Sequence, residues 1–335
     1  MIFFRAPSQT RRRTPEAMLR ILIRVLLSAM VVVPAAAQQV TLPQAKGSVR
    51  FAIIGDSGTG ERPQYETAER LRLAHEQFPF DFVLMMGDNI YGSKTPQDFQ
   101  RKFEQPYKPL LDNKVTFYAS LGNHDVPEEQ SYKLFNMDGR RYYSFKKGNV
   151  RFFALDSNYM DPDQLTWLTN QLQSSTDEWK IAFFHHPLYS SAAAHGSSLE
   201  LRGILEPLFQ QYGVQVVFSG HDHVYERMTP QKGVAYFTEG SSGQLRRGNI
   251  RGAEFSAKSF DTDCAFMLVE ITSKELHFQT ISRTGQTVDS GEIARAESKR
   301  EGVPSGSQLW QPAPSRTPPP APPTGRDVQS YPLPR

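Results

Sequence analysis

The sequence predicts an α/β fold. Three observations carry that prediction. Strand-like and helix-like segments alternate from residue 49 onward, the strand-like ones are short and largely apolar, and most of them end in a polar signature. Short apolar runs bounded by glycine or turn residues suit buried strands, and their alternation with helical segments suits a sheet carrying helices on its faces. "VRFAIIGD" (49–56) opens the series as a strand leading into a loop. "QYETAERLRLAHEQF" reads as a helix, "DFVLMMGD" as a strand and "PQDFQRKFEQPYKPLL" as a second helix. Strand "VTFYASLGNHD" follows, then a helical 128–137 and a hairpin made of "RRYYSFKKG" and "NVRFFALDS". "DQLTWLTNQLQ" is helical, "WKIAFFHHP" a strand, "SLELRGILEPLFQQYG" a helix and "VQVVFSGHDH" a strand. The rest is mostly β ("GVAYFTEGSSG", "CAFMLVEIT", "KELHFQTIS"), and these later strands are expected to form or extend a second sheet.

The two ends differ from this middle. Residues 1–37 combine Arg5, Arg11–Arg13 and Arg20 with the apolar "ILIRVLLSAMVVVPAAA", and Ala35 and Ala37 suit cleavage before Gln38. That is the pattern of an export signal. Arg24 and Pro34 break the run too early for a comfortable membrane span. Met18 could equally be the start, and the "RRR" at 11–13 lacks the apolar context of a twin-arginine signal. Residues 38–48 read as a linker and 49–302 as the folded domain. Residues 303–335 hold 10 of the 24 prolines and read as an extended, disordered tail. The expected location is outside the cytoplasm, periplasmic or secreted, with no stable membrane insertion after signal cleavage.

Charge and cysteine narrow the chemistry. The net +3 includes +5 from residues 1–37 and +2 from 303–335, so residues 38–302 are near −4. A basic pI carried by the ends gives no nucleic-acid surface. Cys264 stands alone, which excludes an internal disulfide and thiolate metal chemistry. A metal site must then come from Asp, Asn, His and Tyr.

Six of the eight histidines fall in three loop regions: His124, His185 with His186 and His195, and His221 with His223. A lone histidine is usually structural, which is the reading for His75 and His277. Loop histidines beside acid-bearing loops are harder to explain that way. In "GHDH" (220–223) the i, i+2 spacing lets both imidazoles face one site if the stretch is extended. Asp56 and Asp88 supply carboxylates, and Asn123 an amide oxygen. Oxygen donors mixed with imidazole suit Fe, Mn or Zn better than copper. One carboxylate can bridge two cations about 3.5–4 Å apart, an arrangement matched to in-line displacement at phosphorus.

Taken in order, "GDSG", "GDNIY", "GNHD", "FFHHP" and "GHDH" resemble the metallophosphoesterase superfamily, and within it the small, single-domain (tartrate-resistant-like) purple acid phosphatases. The resemblance covers about 49–290. It implies a two-sheet β-sandwich flanked by helices, a four-layer α/β/β/α fold. It also implies two metals. Asp56, Asp88, Tyr91 and His223 would bind Fe(III). Asp88 would bridge to a second Fe, Mn or Zn held also by Asn123, His185 and His221. His124 and His195 (in "AAHGS") match the substrate-side histidines. His186 is expected to point away, Asp125 to orient His124, and Arg246 and Arg247 to belong to a solvated loop rather than to contact an anionic substrate.

Tyr91 narrows the resemblance. Many metallophosphoesterases carry Asp-x-His in the first motif, and here Gly58 occupies that histidine's place. A turn after Gly87 would return Tyr91 to the side of Asp88 and replace the missing ligand. A phenol titrates near about 10 in water, and a trivalent ion would hold it ionised. The implied activity is hydrolysis of phosphoric monoesters, small-molecule or protein, by in-line attack of a metal-bound hydroxide at acidic pH, with His195 protonating the leaving alkoxide. A phosphodiesterase or nucleotidase of the same superfamily is the alternative, and a non-catalytic exported metal-binding protein is a third reading. The stretch "NYMDPDQ" (158–164) is shorter than the exposed loop through which the small branch is often activated by cleavage, so such activation is not expected here. Oligomeric state has no signal in the sequence.

Overall fold

In the computed structural model, Met1 and residues 39–295 are described. Residues 2–38 and 296–335, which include the stretches read as an export signal and as a proline-rich tail, lie outside the described residues. Among the described residues, thirteen strands form two mixed sheets. The first has the order β13-β12-β11-β1-β2-β3, built from β1 (Val49–Ile54), β2 (Phe82–Met85), β3 (Thr116–Ala119), β11 (Ala265–Ile271), β12 (Glu275–Ser282) and β13 (Thr287–Ala294). The second has the order β10-β8-β9-β7-β6-β5-β4, built from β4 (Tyr143–Lys147), β5 (Val150–Ala154), β6 (Trp179–Phe183), β7 (Val216–Ser219), β8 (Tyr225–Met228), β9 (Ala235–Glu239) and β10 (Ser256–Phe260). Strands β1, β2 and β3 are parallel, as are β5, β6, β7 and β9.

The period of two along each strand sorts side chains into layers. Trp179, Ile181 and Phe183 of β6 face the core between the sheets, while Ala182 and Phe184 join a second core under the helices. Strands β5, β7 and β9 divide the same way. Aromatic rings interlock across the sandwich: Phe51 stacks on Phe82 at 5.1 Å and meets Phe152 edge-on at 5.4 Å. Helix α1 (Arg62–Gln77) buries Thr67, Ala68, Leu71 and Ala74, one stripe at helical spacing, in the core of the first sheet. Helices α4 (Pro162–Ser174) and α5 (Leu199–Tyr212) cover the second sheet through Leu168, Leu172, Leu201, Leu205 and Phe209. The result is the expected four layers of two sheets flanked by helices.

Four local expectations change. The single helix expected from Pro96 is divided into α2 (Pro96–Phe99), a π-helical turn (Gln100–Glu104) and α3 (Gln105–Asp112). The helix expected over 128–137 is two 3-10 turns, Pro127–Ser131 and Lys133–Phe135, because Tyr132 between them is extended and Asn136 is left-handed. The last three strands do not join the second sheet. Strand β11, buried throughout, pairs antiparallel with β1 and carries β12 and β13 back into the first. Finally, the stretch read as a linker is tied down. Thr41 N–H donates to Gln279 Oε1 at 2.8 Å, and Gln44 N–H and Ser48 Oγ each donate to the buried Glu270 carboxylate at 2.7 Å.

Candidate metal centre

The parallel strands of both sheets deliver their chemistry from their carboxyl ends, where an open α/β sheet binds ligands. Asp56 follows β1, Asp88 follows β2, Asn123 and His124 follow β3, His185 follows β6, and His221 with His223 follow β7. All seven predicted ligands converge there, in two sets.

The first set is Asp56, Asp88, Tyr91 and His223. Tyr91 Oη lies 3.2 Å from Asp56 Oδ1 and 3.2 Å from His223 Nε2, and that nitrogen is 3.4 Å from Asp56 Oδ1. Donor atoms of Asp56, Asp88 and His223 all fall within 4.8 Å of one another. The second set is Asn123, His185 and His221. His185 Nε2 stands 3.0 Å from Asn123 Oδ1, 3.1 Å from His221 Nδ1 and 3.5 Å from Asp88 Oδ1. Asp88 belongs to both.

The backbone is bent to make this meeting. Asp56, Asp88 and His221 all have positive φ, at 51°, 51° and 69°. Non-glycine residues rarely adopt that region, and such conformations gather at functional sites. The turn at Gly87 and Asp88 brings Tyr91 back toward Asp56, and Tyr91 N–H donates to Gly58 O at 2.9 Å. A Cβ at Gly58 would lie 1.8 Å from Asn89 O. The loop therefore closes over the place where a histidine would stand, and Tyr91 enters from the other loop instead. Gly122 plays a related part, since a Cβ there would meet Asp88 Oδ1 at 2.2 Å.

The donors fit cations and little else. His185 Nδ1–H donates to Met86 O at 2.8 Å, which leaves the Nε2 lone pair aimed at two oxygen acceptors, Asn123 Oδ1 and Asp88 Oδ1. Acceptors gathered around acceptors need a positive charge among them. The protonation preferences of these groups say the same. Burial, then the charge of Asp88, raises Asp56 well above the carboxylate range. Burial, then Asp56 and Asp88, raises the Tyr91 phenol. Burial lowers His185, and burial followed by the neighbouring His185 pushes His221 down to about 2. Each group prefers its neutral form, and a bound cation reverses that preference for the oxygens while taking the imidazole lone pairs.

Around this set the structure both keeps and corrects the sequence reading. His124 and His195 lie at the rim: the His124 ring is 4.9 Å from Tyr91, and the His195 ring 4.2 Å from His221. His186 does not point away. Its ring sits 4.4 Å from His221, and it groups with His185 and His221. Asp125 does not reach the His124 ring. It accepts from Asn89 N–H, Ile90 N–H and Gly122 N–H at 2.8, 3.1 and 2.8 Å, bracing the Asp88 and Asn123 loops against each other. Arg246 is exposed, as expected of a solvated loop, and its Nη1 lies 3.3 Å from His195 Nε2. Asp222, which sequence reasoning passed over, accepts from Ser190 Oγ at 2.6 Å and Gly196 N–H at 3.1 Å and so fixes the loop carrying His195. Its position inside "GHDH" was the signal that could have found it.

Comparison with known proteins agrees with this geometry. Residues 49–225 match the calcineurin-like phosphoesterase family. Purple acid phosphatase 4 of Arabidopsis thaliana is 31% identical over 274 residues, covering 70% of this chain and 80% of the relative. Tartrate-resistant acid phosphatase type 5 of Homo sapiens is 27% identical over 301 residues, covering 74% and 91%. The solved structure of purple acid phosphatase PPD1 from yellow lupin (Lupinus luteus) seeds shares the fold, with a TM-score of 0.64 at 21% identity over 76% of this chain and 55% of that one. Membership of this group implies a dinuclear metal centre, and two donor sets sharing one aspartate are what such a centre requires. The chain thus belongs to the calcineurin-like phosphoesterases and, within them, to the purple acid phosphatases.

Proposed function

We propose that this protein hydrolyses phosphoric monoesters at acidic pH through two metal ions. The observation that carries the reading is Asp88, whose carboxylate stands between a phenol-bearing set and an imidazole-rich set. On this reading Asp56, Asp88, Tyr91 and His223 hold Fe(III), and Asp88, Asn123, His185 and His221 hold a second Fe, Mn or Zn. When bound, the pair neutralises the phosphoryl oxygens and acidifies a water for in-line attack.

The chain's own residues supply the rest. Arg246, exposed beside His195, offers a guanidinium to the dianionic ester. His195, held over His221 by the loop that Asp222 fixes, protonates the departing alkoxide as the P–O bond breaks. His124 faces the same space from the Tyr91 side, its backbone N–H anchored on Asp88 Oδ1 at 2.9 Å. Metal-loaded protein should cleave an aryl phosphate faster than a diester bearing the same leaving group. A preference for the diester, or intact monoester from mildly acidic to neutral pH, would sink the reading.

Export is proposed on the sequence of residues 1–37 alone. No helix among the described residues is long and apolar enough to cross a membrane. The mature chain recovered from its source should begin at Gln38, and an N-terminus retaining the apolar stretch would contradict processing.

A further inference from the structure

A cavity of about 600 Å³ opens beside the second donor set. Asn123 and His186 form the wall it shares with the centre, and Leu121, Met160, Leu201 and Ile204 give it apolar surface. Its charge is one-sided. The cationic wall is Arg141, and that guanidinium is already engaged by two carboxylates, Asp156 at 2.6 Å and Asp161 at 2.9 Å. Glu200, also in the lining, is exposed and has no ion-pair partner among the described residues. A mixed polar and apolar space whose lining holds three carboxylates, Asp125, Asp156 and Glu200, against the one guanidinium disfavours an anion and accepts a neutral or cationic group.

His186 stands at the mouth of this space with its proton directed by Ser157. Ser157 Oγ accepts from His186 N–H at 3.0 Å and lies 2.8 Å from His186 Nδ1. That contact lets the serine hydroxyl place its proton on Nδ1. With the serine proton on Nδ1, the neutral ring carries its own proton on Nε2 and is a donor. His185 has the opposite tautomer, with Nδ1–H committed to Met86 O and Nε2 a lone pair. Two adjacent histidines are thus set as ligand and donor. A second cavity, about 560 Å³, meets the centre at Tyr91 instead. The leaving oxygen departs toward His195, which lies over His221, the ring that His186 also touches, so the first cavity is on the leaving side.

We propose that the 600 Å³ cavity is a leaving-group subsite for phosphomonoesters of neutral or cationic, partly apolar alcohols, with His186 Nε2–H donating to the ester at its mouth. This rests on the monoesterase reading. Two measurements on the metal-loaded full chain separate the claims. The first is calorimetric binding of two non-hydrolysable arylphosphonates, one neutral in its aryl group and one carboxylated. The neutral one should bind roughly tenfold tighter, and Glu200→Lys, an exposed change, should remove most of that difference. His186→Phe should weaken both ligands, by about fivefold to tenfold, at unchanged metal content. Equal binding of the two phosphonates, or a ratio that Glu200→Lys leaves alone, overturns the subsite. The second is turnover of the matching aryl phosphates: discrimination in binding with no turnover overturns the monoesterase reading and leaves the subsite standing.

Discussion

The two halves of the centre are built from different materials. The Tyr91 half offers two carboxylates, a phenol and one imidazole, with Asp56 and Asp88 almost wholly buried. The Asn123 half offers two imidazoles and an amide around the shared carboxylate, its Asn123 is exposed, and it opens on the larger of the two flanking cavities. Anionic oxygen donors in a buried setting favour a highly charged ion and hold it tightly. Neutral nitrogen and amide donors at an open edge favour a divalent ion that exchanges. One half is built for retention and the other for access.

The largest effect should come from the residue the halves share. Asp88→Ala removes a carboxylate from both and leaves His185 Nε2 without the carboxylate oxygen 3.5 Å away. Even partners outside a ligand set cost roughly 10- to 100-fold when lost, so activity should fall by more than about a hundredfold and both metals should be depleted in elemental analysis. A variant retaining two equivalents would show that the halves bind independently.

Mild chelation should separate them next. The open half should empty first, abolishing turnover while the visible colour of an iron–phenolate contact persists. Mn or Zn added back should restore activity without changing the spectrum. Simultaneous loss of colour and activity would show that both ions are held alike.

Tyr91→Phe acts on the closed half alone. It removes a donor 3.2 Å from both Asp56 and His223. The visible band should disappear from the iron-loaded protein, and activity should fall by about tenfold to a hundredfold, the scale of a weakened metal site. A coloured Tyr91→Phe protein would move the phenolate assignment elsewhere.

What could be read beforehand follows the same division between local and distant causes. Asp56, Asp88, Asn123, His185 and the His221–His223 pair are legible because each ends an apolar strand, while Tyr91 and the ligand roles follow from the motif resemblance, with Gly58 standing where many metallophosphoesterases carry a histidine. Strands β10 and β13 are not, since these edge strands are half exposed and carry no apolar alternation. His186, Asp125, Asp222 and Arg246 owe their positions to partners 26 to 51 residues away, such as Gly196 for Asp222 and His195 for Arg246. Spacing within a motif has no information about such partners. The return of β11 to the first sheet is of the same kind, because its pairing with β1 spans most of the chain.

The smallest effect on turnover, and the most particular to the closed half, concerns Glu239 behind it. Its carboxyl is fully buried and pushed up to about 8, first by burial and, among smaller causes, by Asp56, while Ser241 N–H and Oγ donate to Oε1 at 3.2 and 3.0 Å and pull it back. A raised acid keeps its proton in the folded chain and loses it in the unfolded one. Stability from this group is therefore complete below the ordinary carboxylate range near 4.5 and is lost as pH rises toward 8. The decline should approach about 1.4 kcal/mol per pH unit within that window. Glu239→Gln cannot ionise, so denaturant unfolding measured across the window should show a flatter profile and a more stable protein at its upper end. Metal loading should narrow the gap between the two proteins, because a cation beside Asp56 favours the ionised form of the neighbouring Glu239 carboxyl. Parallel pH profiles for parent and variant would mean that Glu239 is ionised in the folded chain, with a counter-charge in addition to the Ser241 hydrogen bonds holding it.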